Sequence, residues 1–303
     1  MGGERLSRKA GSILRTRSAE ESEEARELRR ILAIRFAEVE GWHQDTVETP
    51  SVHPHSPLGT ADLMSEPFQA SHAVSYLKLT AVDHLHALRT LMKEARAQHI
   101  FAPYSLLRAS LESAAAGLWI LLRPDPRSIA VRSLSLEWAN LRDLGKAHTT
   151  IRAPEEDMAP RLEVFDAVLA KNKLGREGIK ANPVGSLKII QAVCEAYGFG
   201  TSPVLMWQMC SGATHGRNWV RGFLTMMEAQ DDGVSKIISG RLTSDEKAIV
   251  LALSAASELV RRLFKVQGIR AGAVGHSGAA FQKDKASLRF PSGGLYLPNR
   301  LRH

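Results

Sequence analysis

The most constraining feature of this sequence is the spacing of its apolar residues, which recur every three or four positions over long segments. That spacing places them on one face of an α-helix, which then packs against neighbouring helices. The segments with this pattern, each bounded by Pro, Gly or a polar turn, are 18–42, 67–98, 103–122, 128–149, 154–174, 183–197, 203–219 and 243–266. The sequence therefore predicts an all-α fold, a helical bundle of about seven to eight helices with short connections.

Three local signals refine this prediction. The residues Asp231-Asp232-Gly233 separate 223–229 from 234–238 and predict a small β-hairpin near 223–238. Ser18 followed by Glu21, and Thr243 followed by Glu246, have the form of a capping box and predict the first residues of two helices. Pro and Gly residues between 46 and 60 predict a loop.

The net charge of +8 is confined to one end of the chain. Residues 261–303 carry nine Lys or Arg and one acidic residue, Asp284, so residues 1–260 are neutral overall. The predicted organisation is a disordered N-terminus at 1–17, a single helical bundle domain at 18–267 and a basic disordered tail at 268–303. The tail is either a solubilising end or a contact for nucleic acid or an acidic surface.

Several classes of protein are excluded by what the chain lacks. No apolar run approaches the roughly 18 to 20 residues that span a bilayer, and residues 1–17 have no apolar signal core, so we expect a cytoplasmic protein without a transmembrane segment. Cys194 and Cys210 lie in apolar helical patterns and are expected to be buried thiols. No zinc spacing, phosphate-cradling glycine loop or nucleophile elbow occurs, so neither a metal nor a cofactor is predicted.

The segment 209–219 is the strongest candidate for a polar site. Ser211, small neighbours and Asn218 surround His215, and an imidazole titrates close to neutral pH. Small residues allow another backbone or a ligand to approach His215, and we expect Trp207 and Trp219 to shield the site from water. Ser211 and Asn218 lie four and three positions from His215, and are expected to lie on its helix face.

A second polar pair lies in the segment 103–122. Arg108 and Glu112 are four residues apart, on one face of an Ala-rich helix. Because buried charges need partners, two interpretations remain open. Either the pair pins two helices together, or Arg108 binds an anionic group while Glu112 orients Arg108 or His215.

Two motifs together resemble a known group of proteins. Leu-Leu-Arg-Ala-Ser-Leu-Glu at 106–112, followed about a hundred residues later by Ser-Gly-Ala-Thr-His-Gly at 211–216, resembles bacterial helical proteins of unknown function that are placed near the HEPN superfamily. The resemblance covers roughly 67–266. It implies an α-helical bundle and a link to RNA cleavage, as in toxin or phage-defence systems.

In active HEPN nucleases an Arg and a His stand four to six residues apart on one helix and act without metal. The His activates the ribose 2′-hydroxyl or protonates the leaving oxygen, and the Arg steadies the phosphate. Arg108 and His215 do not have that spacing, whereas Arg142 and His148 do. Arg142 and His148 are therefore the alternative catalytic pair.

Three functional interpretations follow from these residues. The first is a binding module in which Arg108, Glu112, Ser211, His215 and Asn218 form a polar pocket for an anionic ligand such as a nucleotide or RNA. The second is a metal-independent endoribonuclease that uses His215 with Arg108 and Glu112, or the alternative pair. The third is a structural homodimer in which all these groups are packing partners.

Overall fold

A computed structural model describes residues 22–46, 51–97, 99–152, 158–182, 184–230 and 239–272. Within these ranges there are eleven α-helices, one π-helical turn at Thr90–Glu94, one 3₁₀ turn at Asn218–Val220 and one two-stranded sheet. The helices are α1 Glu23–Asp45, α2 Pro57–Ser65, α3 Ala70–Arg89, α4 Ala102–Ile120, α5 Pro126–Ile151, α6 Ala159–Lys171, α7 Arg176–Lys180, α8 Ser186–Tyr197, α9 Ser202–Thr214, α10 Arg221–Leu224 and α11 Glu246–Ala271.

The predicted all-α bundle is confirmed, and so is the presence of a small hairpin. The helices outnumber the prediction because three short ones, α2, α7 and α10, lie outside the eight segments that were predicted as helices. Helix α2 begins directly after Ser56, whose Oγ accepts a hydrogen bond from Gly59 N at 3.0 Å. Pro57 occupies the first helical position, where its missing N–H costs nothing.

Helix α4 lies at the centre of the larger hydrophobic core. Its long neighbours are α3, α8, α9 and α11, and Leu107, Leu111 and Leu118 on α4 are fully buried. At Gly117 the backbone of α4 approaches α11 so closely that an added Cβ would lie 3.0 Å from the methyl groups of Leu263. A smaller core joins the distal half of α5 to α6 and α7 through Leu134, Leu141, Phe165, Val168, Leu169 and Ile179.

One cation is buried in the larger core. Lys78 on α3 is only 3 % exposed, and its Nζ lies 4.7 Å from the centre of the Phe264 ring. Burial lowers the pKa of Lys78 to about 8, against a smaller opposing effect of Asp45. Removing an ammonium group from water therefore outweighs the attraction that the nearby carboxylate supplies.

The hairpin pairs β1, Thr225–Gln230, with β2, Ser239–Ser244, in an antiparallel register that matches Thr225 with Ser244. The second strand predicted at 234–238 lies outside the described residues. The base of the hairpin is held by Tyr104 at the start of α4, whose Oη donates to the backbone oxygen of Leu224 at 2.8 Å and lies 3.3 Å from that of Asp245. The central helix and the hairpin are thus joined directly.

The ends of two helices differ from the predictions. The cap of α11 is Asp245, whose Oδ1 accepts from Lys247 N at 2.8 Å and Ala248 N at 3.4 Å, and the predicted cap Thr243 is instead part of β2. Ser22 caps α1, and the predicted cap Ser18 lies outside the described residues. Helix α11 also continues to Ala271, beyond the boundary predicted at 268.

The predicted disordered segment at 1–17 and most of the predicted basic tail, 273–303, lie outside the described residues. In the part of the chain that the structure does describe, no helix is both long enough and apolar enough to cross a membrane.

Candidate functional site

Helix α4 presents Arg108 and Glu112 one turn apart at the edge of the core. Arg108 Nε donates to Glu112 Oε1 at 3.0 Å, as the four-residue spacing predicts. The two side chains are 24 % and 28 % exposed, so they form a rim that solvent reaches rather than a buried ion pair. A partly hydrated pair of this kind contributes little to stability, which leaves the guanidinium available for another role.

His215, at the end of the neighbouring helix α9, contacts Arg108 of this pair. Its Nε2 lies 3.0 Å from Arg108 Nη1. A guanidinium can only donate hydrogen bonds, so Nε2 must be the acceptor and the ring proton must lie on Nδ1. The structure therefore brings His215, Arg108 and Glu112 into one hydrogen-bonded chain with a neutral imidazole at its outer end.

Further contacts fix the two helices around this chain. Trp207 Nε1 on α9 donates to the same Glu112 Oε1 at 2.7 Å. Thr214 Oγ1 donates to Cys210 O at 2.9 Å and lies 3.2 Å from Ser105 Oγ on α4, which is therefore the donor in that pair. Trp207 was expected only to shield the site. Its indole N–H also positions Glu112, a role that the apolar pattern of the sequence did not indicate.

His215 is the C-cap of α9, and the residues that follow it end the helix. Gly216 has a φ of +62°, its N–H donates to Ala213 O at 3.1 Å, and Arg217 N donates to Gly212 O at 2.9 Å. These two bonds form a Schellman motif, in which a glycine in the left-handed region satisfies the last carbonyls of a helix. The motif Ser-Gly-Ala-Thr-His-Gly is thus a helix terminus that holds His215 at its last turn.

Gly212 allows the segment that follows α9 to pack closely against this helix. A Cβ at this position would lie 2.5 Å from Val220 Cγ1 and 3.2 Å from the Trp219 ring. The segment after the helix terminus folds back over Gly212, so this small residue admits the protein's own backbone and side chains. Of the two uses expected for the small residues of this motif, the approach of another part of the chain is the one seen at Gly212.

Two other expectations for the residues around His215 need correction. Trp219 is 53 % exposed, so it does not shield the site from water. Asn218 is exposed and begins the 3₁₀ turn after Gly216, so it cannot lie on the helix face of His215, because α9 ends at Thr214. Ser211 remains on α9, half-buried, one turn before His215.

The cysteine next to the site is a buried thiol whose ionisation is disfavoured. Both Cys194 and Cys210 are buried and free, as predicted. Burial raises the pKa of Cys210 to about 12 although the positive charge of Arg108 opposes the shift, and burial raises the pKa of Cys194 to about 11. A thiol needs to ionise to attack or to bind a metal, so these two groups are structural.

The alternative pair lies on α5. Arg142 is exposed and His148 is half-buried. Six residues advance a helix by about 240° around its axis, so the two side chains leave α5 in different directions. Within the described ranges no hydrogen bond joins them, and the buried His148 Nδ1 has no partner there. The structure therefore does not assemble these two residues as it assembles Arg108 and His215.

Several hydrogen-bond donors of the site have no protein partner in the described part of the chain. Two of the five N–H groups of Arg108 are used by Glu112 and His215, and no other described residue accepts from the remaining three. The proton on His215 Nδ1 adds a fourth donor, and His215 is exposed. Such a cluster complements an oxyanion.

Among the described residues no group of three or more His, Cys, Asp or Glu side chains has the arrangement that would hold a metal ion. Compared with known protein families, with curated proteins and with solved structures, the chain gives no match.

Proposed function

We propose that this protein binds the phosphate group of a nucleotide or of RNA at the site formed by Arg108, Glu112 and His215. The observation that carries the proposal is the position of the Arg108 guanidinium. It is held between Glu112 at 3.0 Å and His215 at 3.0 Å, and its remaining N–H groups have no acceptor among the described residues. Arginine recognises phosphate through two parallel N–H groups, so a guanidinium fixed in this way is suited to an oxyanion.

The fixed orientation lowers the cost of binding. A free arginine side chain loses rotamer entropy when it engages a ligand. Here Glu112 holds Arg108, and Trp207 holds Glu112 through the same oxygen at 2.7 Å. Most of that entropy is therefore lost when the protein folds. The carboxylate also repels an incoming anion, so its role in this proposal is to orient the guanidinium.

The hydrogen bonding of His215 favours binding over catalysis. A general base needs a free lone pair on the imidazole. The lone pair of His215 is on Nε2, which accepts from Arg108, so Nδ1 carries the proton. As the site stands, His215 can donate a hydrogen bond to an anion, but it cannot remove a proton from a ribose hydroxyl without first losing Arg108.

The first test measures binding of ATP, GTP and a labelled single-stranded RNA to the full chain, by calorimetry and by fluorescence anisotropy. Arg108→Ala removes a charge-assisted interaction worth about 1.5 to 3 kcal/mol, so we expect the Kd to rise about ten- to a hundredfold. Arg161→Ala, which removes an exposed arginine on α6, is the matched control and should leave the Kd unchanged. Equal weakening by both substitutions would refute the assignment of the site.

Glu112 supplies a sharper test. Glu112→Gln keeps an oxygen that can accept from Arg108 and Trp207 but removes the negative charge, so we expect equal or tighter anion binding. Glu112→Ala leaves Arg108 without its partner and should weaken binding. If Glu112→Ala binds the anion as tightly as wild type or more tightly, orientation of Arg108 is not the role of Glu112.

The endoribonuclease interpretation is tested with the same proteins. Labelled RNA is incubated with wild type, His215→Ala and His148→Ala in the presence of a chelator. Cleavage that is lost in only one variant would establish a metal-independent nuclease and identify its histidine. Binding without cleavage by any form would favour the binding module.

A further inference from the structure

A cavity lies away from the Arg108 site, where α1, the π-helical turn and the first turn of α11 meet. Its volume is about 430 Å³, within the range of small-molecule pockets. Its floor is apolar and consists of Leu32, Phe36, Met92 and Ile249. Phe36 and Ile249 are buried, and Leu32 and Met92 are half-buried. None of the residues of the phosphate site lines this cavity.

The mouth of the cavity is basic. Arg29, Lys93 and Arg96 line it together with one acidic residue, Glu246. Lys93 and Arg96 are exposed, and neither makes a hydrogen bond or an ion pair with another described residue. Their neighbour Arg89, which does not line the cavity, is paired with Glu40 at 2.9 Å and with Glu94 at 2.6 Å. The two unpaired cations are thus those that face the apolar floor.

The backbone that carries these cations departs from a regular helix. The turn Thr90–Glu94 is π-helical, with Ala95 N donating to Thr90 O at 3.0 Å, and Arg96 has a φ of +50°. A non-glycine residue in the left-handed region costs about 1 to 2 kcal/mol, and π turns are frequent at functional sites. This local geometry places Lys93 and Arg96 beside the cavity.

Helix α11 contributes Glu246 and Ile249 from its first turn. The N-terminus of this helix is already capped by the carboxylate of Asp245, so the positive charge at the mouth comes from the basic side chains. An anionic group at the mouth would meet Lys93 and Arg96. The floor below it offers no polar side chain to a ligand.

We propose that this cavity binds a single-chain amphiphile with an anionic head group. The apolar chain would lie over Phe36, Met92 and Ile249, and the head group would lie between Lys93 and Arg96. A nucleotide does not fit this chemistry, because its base and ribose need polar partners that the floor lacks. The ligand of this cavity is therefore of a different class from the ligand proposed for Arg108.

The experiment titrates the full chain with 11-(dansylamino)undecanoate, whose emission rises in an apolar environment, and displaces this probe with dodecanoate, dodecyl phosphate or dodecanol. We expect saturable binding of one probe per chain, and displacement by both anionic amphiphiles at lower concentration than by dodecanol. The comparison of dodecanoate with dodecyl phosphate identifies the preferred head group. Equal displacement by dodecanol would overturn the role of the basic mouth.

Two kinds of substitution test the location. Lys93→Glu combined with Arg96→Glu should weaken dodecanoate binding by about tenfold or more and leave dodecanol unchanged. Ala33→Trp places a large side chain into the cavity from an exposed position on α1 and should abolish binding of the probe. Lys188→Glu, at an exposed lysine on α8, is the charge control.

Circular dichroism establishes that each variant is folded. No saturable binding to wild type, or binding that Ala33→Trp leaves intact in a folded protein, would overturn the proposal. Neither result bears on Arg108, because the two sites share no residue.

Discussion

Replacing the buried Lys78 by Met is expected to stabilise the protein at neutral pH. The pKa of Lys78 falls from 10.5 to about 8 in the folded state, which corresponds to a penalty of about 3 kcal/mol for keeping the ammonium group in the core. Part of the gain is offset, because the cation above the Phe264 ring contributes about 1 kcal/mol that Met does not replace. We therefore expect a net gain of about 2 kcal/mol in the free energy of unfolding.

The pH dependence of this gain is the decisive measurement. Between pH 8 and pH 10.5 the unfolded chain holds the Lys78 proton and the folded chain does not, so the wild type becomes more stable as the pH rises through this window. Below pH 8 the penalty is fully present. The advantage of Lys78→Met over wild type, about 2 kcal/mol below pH 8, should thus disappear between pH 8 and pH 10.5.

Urea unfolding followed by tryptophan fluorescence at several pH values gives both free energies. Taking the difference between the two proteins cancels the titration of groups that they have in common, such as Tyr104, whose pKa burial raises. Lys188→Met, at an exposed lysine, should give a difference that does not change with pH. A constant difference for Lys78→Met as well would refute the argument from desolvation.

Three further predictions concern helix ends and thiols. Gly212→Ala should destabilise the protein by about 1 to 3 kcal/mol in urea unfolding, because its Cβ meets a packed side chain, whereas Gly222→Ala, which has open space around it, should not. Asp245→Ala should lower the free energy of unfolding by about 1 kcal/mol, because α11 loses its cap, and Thr243→Ala should lower it by less. A larger effect of Thr243→Ala would refute the assignment of the cap. Cys210 should react with iodoacetamide only on unfolding, because burial raises its pKa to about 12; rapid labelling of the folded protein, read by mass spectrometry, would contradict this.

The apolar spacing of the sequence was sufficient to predict the long helices. The pattern Leu107, Leu111, Leu118 on α4 and the corresponding patterns on α3 and α11 correspond to buried faces. A helix that buries a continuous stripe has to repeat apolar residues at its own period, so this information is local. The contact of Arg108 with Glu112 was predictable for the same reason, because it lies within one turn.

The parts that the sequence did not predict depend on competition or on distant partners. Thr243 and Asp245 are both residue types that cap helices. Thr243 is paired with Met226 in the hairpin, so Asp245 is left to cap α11. The Pro and Gly residues around Pro57 are typical of a loop, yet a proline at the first helical position is equally compatible with a helix. The hydrogen bond of Trp207 to Glu112 could not be predicted from the sequence pattern of α4 or of α9, because it requires the two helices to lie against each other.

The bond between Arg108 and His215 has a consequence for folding. It joins residues that are 107 positions apart, and the contacts of Ser105 with Thr214 and of Glu112 with Trp207 span 109 and 95 positions. No short segment of the chain contains both halves of the site, so the entropy of closing a long loop must be overcome before any of these contacts can form. A species in which α9 has detached from α4 keeps the Arg108–Glu112 pair within its one helix and loses His215. The complete site is thus a property of the folded chain, because it exists only when α9 is packed against α4.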